Sequence, residues 1–437
     1  MRFYKLVILS FCLFVFLQAC IEVPKQHGGP APGIWRGIFI LEDTRQIIVT
    51  KGKDKIVTRD VNPESMKKLI PFQFEFIKPT DSTYAFVLVN GLERITFNEV
   101  HLGYNIRNGT DTFEINLEPY DAVLKGVWEH NKLAGDFIVR DKKSYSIPFT
   151  AQYGQNFLFK KIPEKAEVNL TGNWEVIFDQ DSADAYRAIG EFEQSGSNIS
   201  GTFRTETGDY RYLTGQVIGH QVFLSTFDGA HVFMFELNVM DDQFKGIFYS
   251  GNHYQAALKG KRNSEIQLTN PEELTKIISK DPVKFSFRNT EGQIINLNDE
   301  RYRGKSKIIQ ILGTWCPNCR DECEFLKAKL DNGEINQTEI IGLAFERIKD
   351  PELGIQRIKR YKDKMGLPYE LLLAGPASKD SASAIFPQLD EISAFPTMIF
   401  LDKNNVIQKV HTGFDGPATS AYKAFQTDFI KTIESLK

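Results

Sequence analysis

Residues 313–323 read Gly-Thr-Trp-Cys-Pro-Asn-Cys-Arg-Asp-Glu-Cys, and three of the five cysteines of the chain fall within them. Just upstream, Lys307-Ile308-Ile309-Gln310-Ile311-Leu312 is an apolar run typical of a buried strand. Downstream, Pro317 to Leu330 reads as a helix, with Pro317 just after its start, where a missing N–H costs nothing. Cys316 therefore sits at a strand-to-helix junction. Unpaired backbone N–H groups and the positive end of the helix dipole favour a thiolate there. Cys319 lies one turn deeper, which suits a disulfide in a C-x-x-C loop. Thiol–disulfide exchange needs this asymmetry between an exposed attacking sulfur and a shielded resolving one.

A metal site competes poorly. Structural zinc takes four ligands, usually as two spaced pairs, and no second C-x-x-C exists in the sequence. His411 is the one plausible distant nitrogen in this part of the chain, and no metal or other cofactor is expected. Cys323 is seven residues, or about 10 Å, beyond Cys316 on the same helical face, too far for a direct bond. It reads as a small buried apolar residue, with a regulatory third thiol as the alternative.

Working outward, residues 283–437 alternate strands and helices, the texture of an α/β domain. Short strands are expected at Lys284–Phe287, Ile294–Leu297 and Met398–Leu401. A linker, 264–282, precedes them. Within it Asn270-Pro271-Glu272-Glu273 has an N-cap residue, a first-turn proline and first-turn acids, which predicts a short helix to about Ser279.

The preceding 230 or so residues read as β-rich. Alternating runs such as FQFEFI (72–77), YAFVLV (84–89) and VFMFELNV (232–239) are separated by turn signals at Asn90-Gly91, Asn108-Gly109 and Asp228-Gly229. Gly33-Ile34-Trp35 resembles Gly172-Asn173-Trp174, and Leu124–Trp128 resembles Phe244–Phe248, which suggests a duplication. Two antiparallel barrels or sandwiches, 33–160 and 168–263, are expected, with a single larger β-domain as the alternative. The expected fold class is thus multidomain, with a β-rich N-terminal half followed by an α/β unit.

The N-terminus reads as a targeting segment. Arg2 and Lys5 precede the apolar run Leu6–Phe16, which falls short of a membrane span. Leu17-Gln18-Ala19-Cys20 resembles a bacterial lipobox. Residues 1–19 are then a lipoprotein signal peptide, Cys20 carries the lipid, and 20–32 form a tether. The expected location is then the bacterial cell envelope, with a lipid anchor facing the periplasm; an ordinary signal peptide with an incidental Cys20 is the alternative. The remaining thiols are then Cys316, Cys319 and Cys323, with no cysteine left to staple the β-rich part. A net charge of −3 gives no field favouring nucleic acid.

The motif W-C-P-N-C-R-x-E, with Arg303-Gly304-Lys305 before the buried strand and Ala394-Phe395-Pro396-Thr397 after it, resembles the TlpA/ResA-type thioredoxin-like disulfide reductases. The resemblance covers about 283–437, and His411–Phe414 is similar to members from Bacteroidetes-type bacteria. It implies a thioredoxin fold in which the peptide before Pro396 is cis and Phe395 offers its backbone to an extended substrate. It also implies that Trp315 and Pro317 border the substrate. Glu322 matches a carboxylate that would accept the proton of Cys319 as a mixed disulfide resolves. Two departures stand out. Proline comes first in Cys-Pro-Asn-Cys, so the family's redox poise does not carry over, and Glu324 replaces a frequent proline.

The expected activity is therefore a membrane-tethered thiol–disulfide oxidoreductase acting as a reductase. Cys316 attacks, Cys319 resolves, and an upstream membrane thiol donor re-reduces the pair; the partners are protein disulfides. A thiol peroxidase is the enzymatic alternative, but its P-x-x-x-T-x-x-C pattern is absent, because Thr314 lies one position too close to Cys316. A ligand- or client-binding lipoprotein with an accessory redox domain is the other alternative.

Overall fold

The computed structural model describes residues 29–41, 48–49, 56–57, 68–140, 142 and 145–436. The signal peptide, Cys20 and the tether up to residue 28 lie outside these residues.

The N-terminal half is strand-rich and antiparallel. One sheet closes on itself. Strands Gly172–Phe178, Tyr186–Ser195, Asn198–Thr205, Leu213–Ile218, Gln221–Phe227, Val232–Met240, Gln243–Ser250 and Tyr254–Arg262 form an eight-stranded barrel, closed by pairing of Ala188–Ser195 with Asn198–Thr205. Closure leaves no long edge unpaired. Its interior is filled by aromatic rings: Phe203 and Phe235 lie 4.5 Å apart, and Phe235 stacks on Phe248 at 4.6 Å.

The other sheet stays open, so the two antiparallel barrels or sandwiches expected take the form of one closed barrel and one half-barrel. Its described strands run from Glu93–Phe97 at one edge, through Gly33–Leu41 near the middle, to Val100–Asn105 at the other. The physical reason is a shared core. The concave face of this half-barrel holds Phe39, Phe72 and Phe137, and it closes over Phe227, Val232, Met234 and Tyr249 on the outside of the barrel. Phe227 meets Phe39 at 4.9 Å and Phe137 at 5.1 Å. Polar ties hold the two sheets in register: Ser225 Oγ donates to Pro71 O (2.7 Å) and Lys68 pairs with Glu236 (2.6 Å).

The two Gly-x-Trp signals occupy equivalent local settings. Trp35 Nε1 donates to Ala31 O at 2.9 Å and Trp174 Nε1 to Leu170 O at 2.8 Å, and both indoles are fully buried. Burying the ring while giving its N–H a carbonyl satisfies both halves of the side chain.

The 271–279 segment forms turns instead of the expected helix. Asn270 does cap it, accepting from Glu272 N at 3.1 Å. The backbone then pairs away from itself: Ile277 bridges Leu389, and Ile278 N donates to Gln388 O at 2.8 Å. A helix this short gains too little to compete with tertiary pairing.

The C-terminal unit is a thioredoxin-like mixed sheet with helices on both faces. Its strand order is Ile294–Asn296, Ser286–Asn289, Glu370–Pro376, Thr338–Glu346, Ser306–Leu312, Thr397–Leu401, Ile407–Thr412. The three strands from Glu370–Pro376 to Ser306–Leu312 are parallel to one another. Helices α1 (Pro317–Asp331), α2 (Pro351–Met365), α3 (Lys379–Ser383) and α4 (Tyr422–Ser435) cover it. Every residue of Ser306–Leu312 is buried, because Ile308 and Leu312 face one core while Ile309 and Ile311 face the other. Among the described residues no helix is long and apolar enough to cross a membrane.

Candidate active site

The buried strand Ser306–Leu312 delivers the chain to α1 at the centre of the sheet edge. Cys316 is the N-cap of α1, and Cys319 N donates to its Sγ at 3.2 Å. Cys316 and Cys319 are disulfide-bonded, with Cα atoms 5.2 Å apart.

Neighbouring elements hold the loop before the cysteines. Glu346, at the end of the adjacent parallel strand, accepts from Thr314 N (3.0 Å) and Thr314 Oγ1 (2.9 Å). Trp315 Nε1 donates to Phe345 O at 2.9 Å. Arg357 of α2 donates to Pro119 O at 2.8 Å and reaches Thr314 O at 3.4 Å.

The Phe395–Pro396 peptide is cis. The Phe395 carbonyl oxygen lies 3.7 Å from Cys316 Sγ, and the Phe395 ring lies 5.6 Å from that of Trp315. Gly413 N donates to Pro396 O at 2.9 Å, bringing the 413–416 turn alongside. The fold therefore brings Trp315, Phe395 and Pro396 to the disulfide, while Pro317 is buried in the first turn of α1. Cys316 itself keeps only 6% of its surface, less than an exposed attacking sulfur was expected to have.

Glu322 lies one turn beyond Cys319 on α1 and is fully buried. One carboxylate oxygen accepts from Gln310 Nε2 at 2.8 Å, and the other has no partner. Burial pushes this carboxyl up to about 8, and the Gln310 hydrogen bond only partly opposes it. Near neutral pH it is mostly protonated. The linkage follows directly. In the unfolded chain the group ionises near its ordinary 4.5, so the stabilisation it contributes is whole below that pH and is lost as pH rises through about 8. Glu322→Gln is expected to flatten this fall, gaining a few kcal/mol over wild type at pH 8 and little at pH 4. Urea unfolding at both values measures it; equal shifts at the two would contradict the assignment.

Cys323 is buried beneath the same helix. Its sulfur lies 3.4 Å from Gln310 Nε2 and 3.8 Å from Tyr361 Oη, and burial pushes its thiol up to about 12. A thiol held so firmly protonated is a packing group. Arg320 pairs with Glu324 at 2.7 Å and lies 5.7 Å over the Tyr120 ring.

Sequence reasoning missed the contribution of the strand-rich half, which reaches the rim of this site. Arg211, from the barrel, pairs with Asp321 on α1 and with Glu93 of the half-barrel, and its Nε lies 3.9 Å from Asp228. Asp209 accepts from Gly416 N at 2.7 Å; its burial, with Asp321 nearby, pushes its carboxyl up to about 7. On the other flank Arg360 pairs with Asp121 at 3.1 Å, and Lys364 pairs with Glu99. No local motif announces these residues: apart from Arg211–Asp228, each pair named joins positions more than 100 apart. Glu346 alone had a readable signal, as a charged residue ending a buried strand.

Comparison with known proteins finds relatives of this part of the chain. The chain is 24% identical over 129 residues to thioredoxin-like protein YneN of Bacillus subtilis, spanning 30% of this chain and 68% of that one. It is also 24% identical over 129 residues to thiol-disulfide oxidoreductase ResA of Geobacillus thermodenitrificans, spanning 30% of this chain and 66% of that one. A solved structure of a thioredoxin-family thiol:disulfide interchange protein from Chlorobium tepidum superposes with a TM-score of 0.28 at 19% identity, over 36% of this chain and 97% of the other. Residues 278–410 match the AhpC/TSA family, so the C-terminal part of the chain is a thioredoxin-like domain of that family, homologous to the ResA and YneN proteins.

Proposed function

We propose that this protein is a membrane-tethered thiol–disulfide oxidoreductase that reduces protein disulfides in the bacterial cell envelope. The observation that carries the reading is a Cys316–Cys319 disulfide at the N-terminus of α1, with the carbonyl of a cis Phe395–Pro396 peptide beside the first sulfur. In the reduced protein the Cys316 thiolate attacks one sulfur of a substrate disulfide. A new S–S bond forms, the substrate bond breaks, and the departing sulfur takes a proton. Cys319 then attacks Cys316 Sγ and expels the second substrate thiol. The substrate gains two electrons, which Cys316 and Cys319 lose, and an upstream membrane thiol donor restores them.

Glu322 acts in the second step. Only its ionised form, a minority near neutral pH, can take the Cys319 proton; because its proton affinity, about 8, lies close to an ordinary thiol's, about 8.5, that transfer is nearly balanced, and its share grows as pH rises toward 8. Lipid on Cys20 tethers the chain to the membrane in this reading, and mass analysis of the membrane-extracted protein tests that point.

Two observations weigh against the alternatives. The Thr314 hydroxyl, which a peroxidase would aim at peroxide, donates to Glu346. The closed barrel is packed with aromatic rings where a lipophilic ligand would have to sit.

The equilibrium potential of the couple tests the direction of electron flow. Titration against dithiothreitol with thiol trapping is expected to place it near thioredoxin's, about −270 mV. A value near that of DsbA, about −120 mV, would make the protein an oxidant instead.

A further inference from the structure

We propose that the strand-rich half selects the substrates of the redox site: the barrel turn Thr205–Asp209 walls the groove beside Cys316, admitting a disulfide in a small or extended molecule and excluding one held on a folded protein surface. This rests on the reading of Cys316 and Cys319 as a redox pair.

The turn is placed where a substrate must pass. Its tip meets two of the segments that surround the disulfide. A Cβ on Gly208 would collide with the side chain of Asn318, between the two cysteines. A Cβ on Gly413, whose N–H binds the Pro396 carbonyl, would lie 2.8 Å from the carbonyl of Thr207. Backbone is thus packed against backbone at the edge of the groove.

The turn is also braced. Within it, Thr205 Oγ1 donates to Gly208 O at 2.8 Å, and Asp209 Oδ1 accepts from Arg211 N at 2.6 Å. Outward, Asp209 holds Gly416 N and Glu206 accepts from Thr269 Oγ1 at 2.6 Å. Arg211 then anchors the strand to Asp321, two residues after Cys319. The Pro119–Tyr120 loop is likewise held by Arg357 and packs against Arg320. Two segments of the strand-rich half therefore abut the first turns of α1.

The chemistry gives these walls a consequence. Forming the mixed disulfide requires the substrate sulfur to reach bonding distance of Cys316 Sγ in line with its own S–S bond. Trp315 and Phe395, both half-buried, line the approach that remains. A small disulfide fits such a slot, whereas a globular surface meets the walls first.

The test uses the full-length chain with dithiothreitol as reductant, and oxidised glutathione and native insulin as substrates. Asp209→Ala removes the brace to Gly416. It is expected to raise insulin reduction at least about tenfold while leaving glutathione turnover within about twofold. Equal effects on both substrates, or none on either, overturn the wall. A second measurement needs no variant. In the reduced wild-type protein, a maleimide carrying a long polymer is expected to modify Cys316 at least about 100-fold more slowly than a small maleimide, each relative to free cysteine. Equal relative rates overturn the wall. Failure of both proteins to reduce either glutathione or insulin would instead overturn the redox reading, while the maleimide comparison still decides whether the wall exists.

Discussion

Replacing Cys316 with serine is expected to lower disulfide reduction by at least about 1,000-fold, because the attacking atom is removed and no other described thiol can take its place. Cys319 is fully buried, and Cys323 is both buried and held protonated. Cys319→Ser should behave differently. Cys316 remains the N-cap of α1, where backbone N–H groups stabilise its thiolate, so attack proceeds and the mixed disulfide accumulates. Intact-mass analysis after incubation with a disulfide peptide distinguishes the two: an adduct on Cys319→Ser and none on Cys316→Ser. The reverse pattern would exchange the roles of the two sulfurs. Cys323→Ser is the control and should change neither result.

Arg211→Met is expected to destabilise the protein by about 3–5 kcal/mol at pH 7, the usual effect of stranding buried carboxylates by removing their partner. Arg211 joins three regions at one point: Glu93 in the half-barrel, Asp228 in the barrel and Asp321 on α1. Both Asp228 and Arg211 are buried. Burial alone would raise the Asp228 carboxyl, but His231 and Arg211 outweigh it and hold the group below the ordinary carboxylate range. A depressed carboxyl contributes stability that is present above its ordinary 3.8 and is lost as pH falls through its folded value. The variant loses part of that contribution, so the gap between the two proteins should narrow on acidification from pH 7 to pH 3. Urea unfolding monitored by tryptophan fluorescence reports it. A gap that is constant with pH would mean that Arg211 acts by packing its stem rather than by its charge.

Much of the redox centre was legible because its determinants are local. A buried apolar run, Trp315-Cys316-Pro317 and a helical continuation place a thiol at a helix N-terminus through backbone geometry spanning about 15 residues. Gln310 is legible in the sequence only as part of a buried strand; its role as the hydrogen-bond donor to Glu322 is not, since the two meet only when α1 packs on the sheet. The expected helix after Asn270 failed for the related reason that its local signals competed with partners at 388–390.

For the strand-rich half, alternation and turn signals in the sequence were enough to determine strands, antiparallel pairing and the two buried tryptophans. Which sheet closes was decided only in three dimensions. Gln221–Phe227 is buried on both faces, with Val222 and Leu224 inside the barrel and Phe227 under the half-barrel. Such a strand reads the same whether its outer face meets another sheet or another domain, because burial records that water is excluded and not what excludes it. The chemistry of the disulfide was therefore written locally in the sequence. The walls that border it, built by Asp209, Arg211 and Tyr120, came from long-range packing that no local pattern encodes.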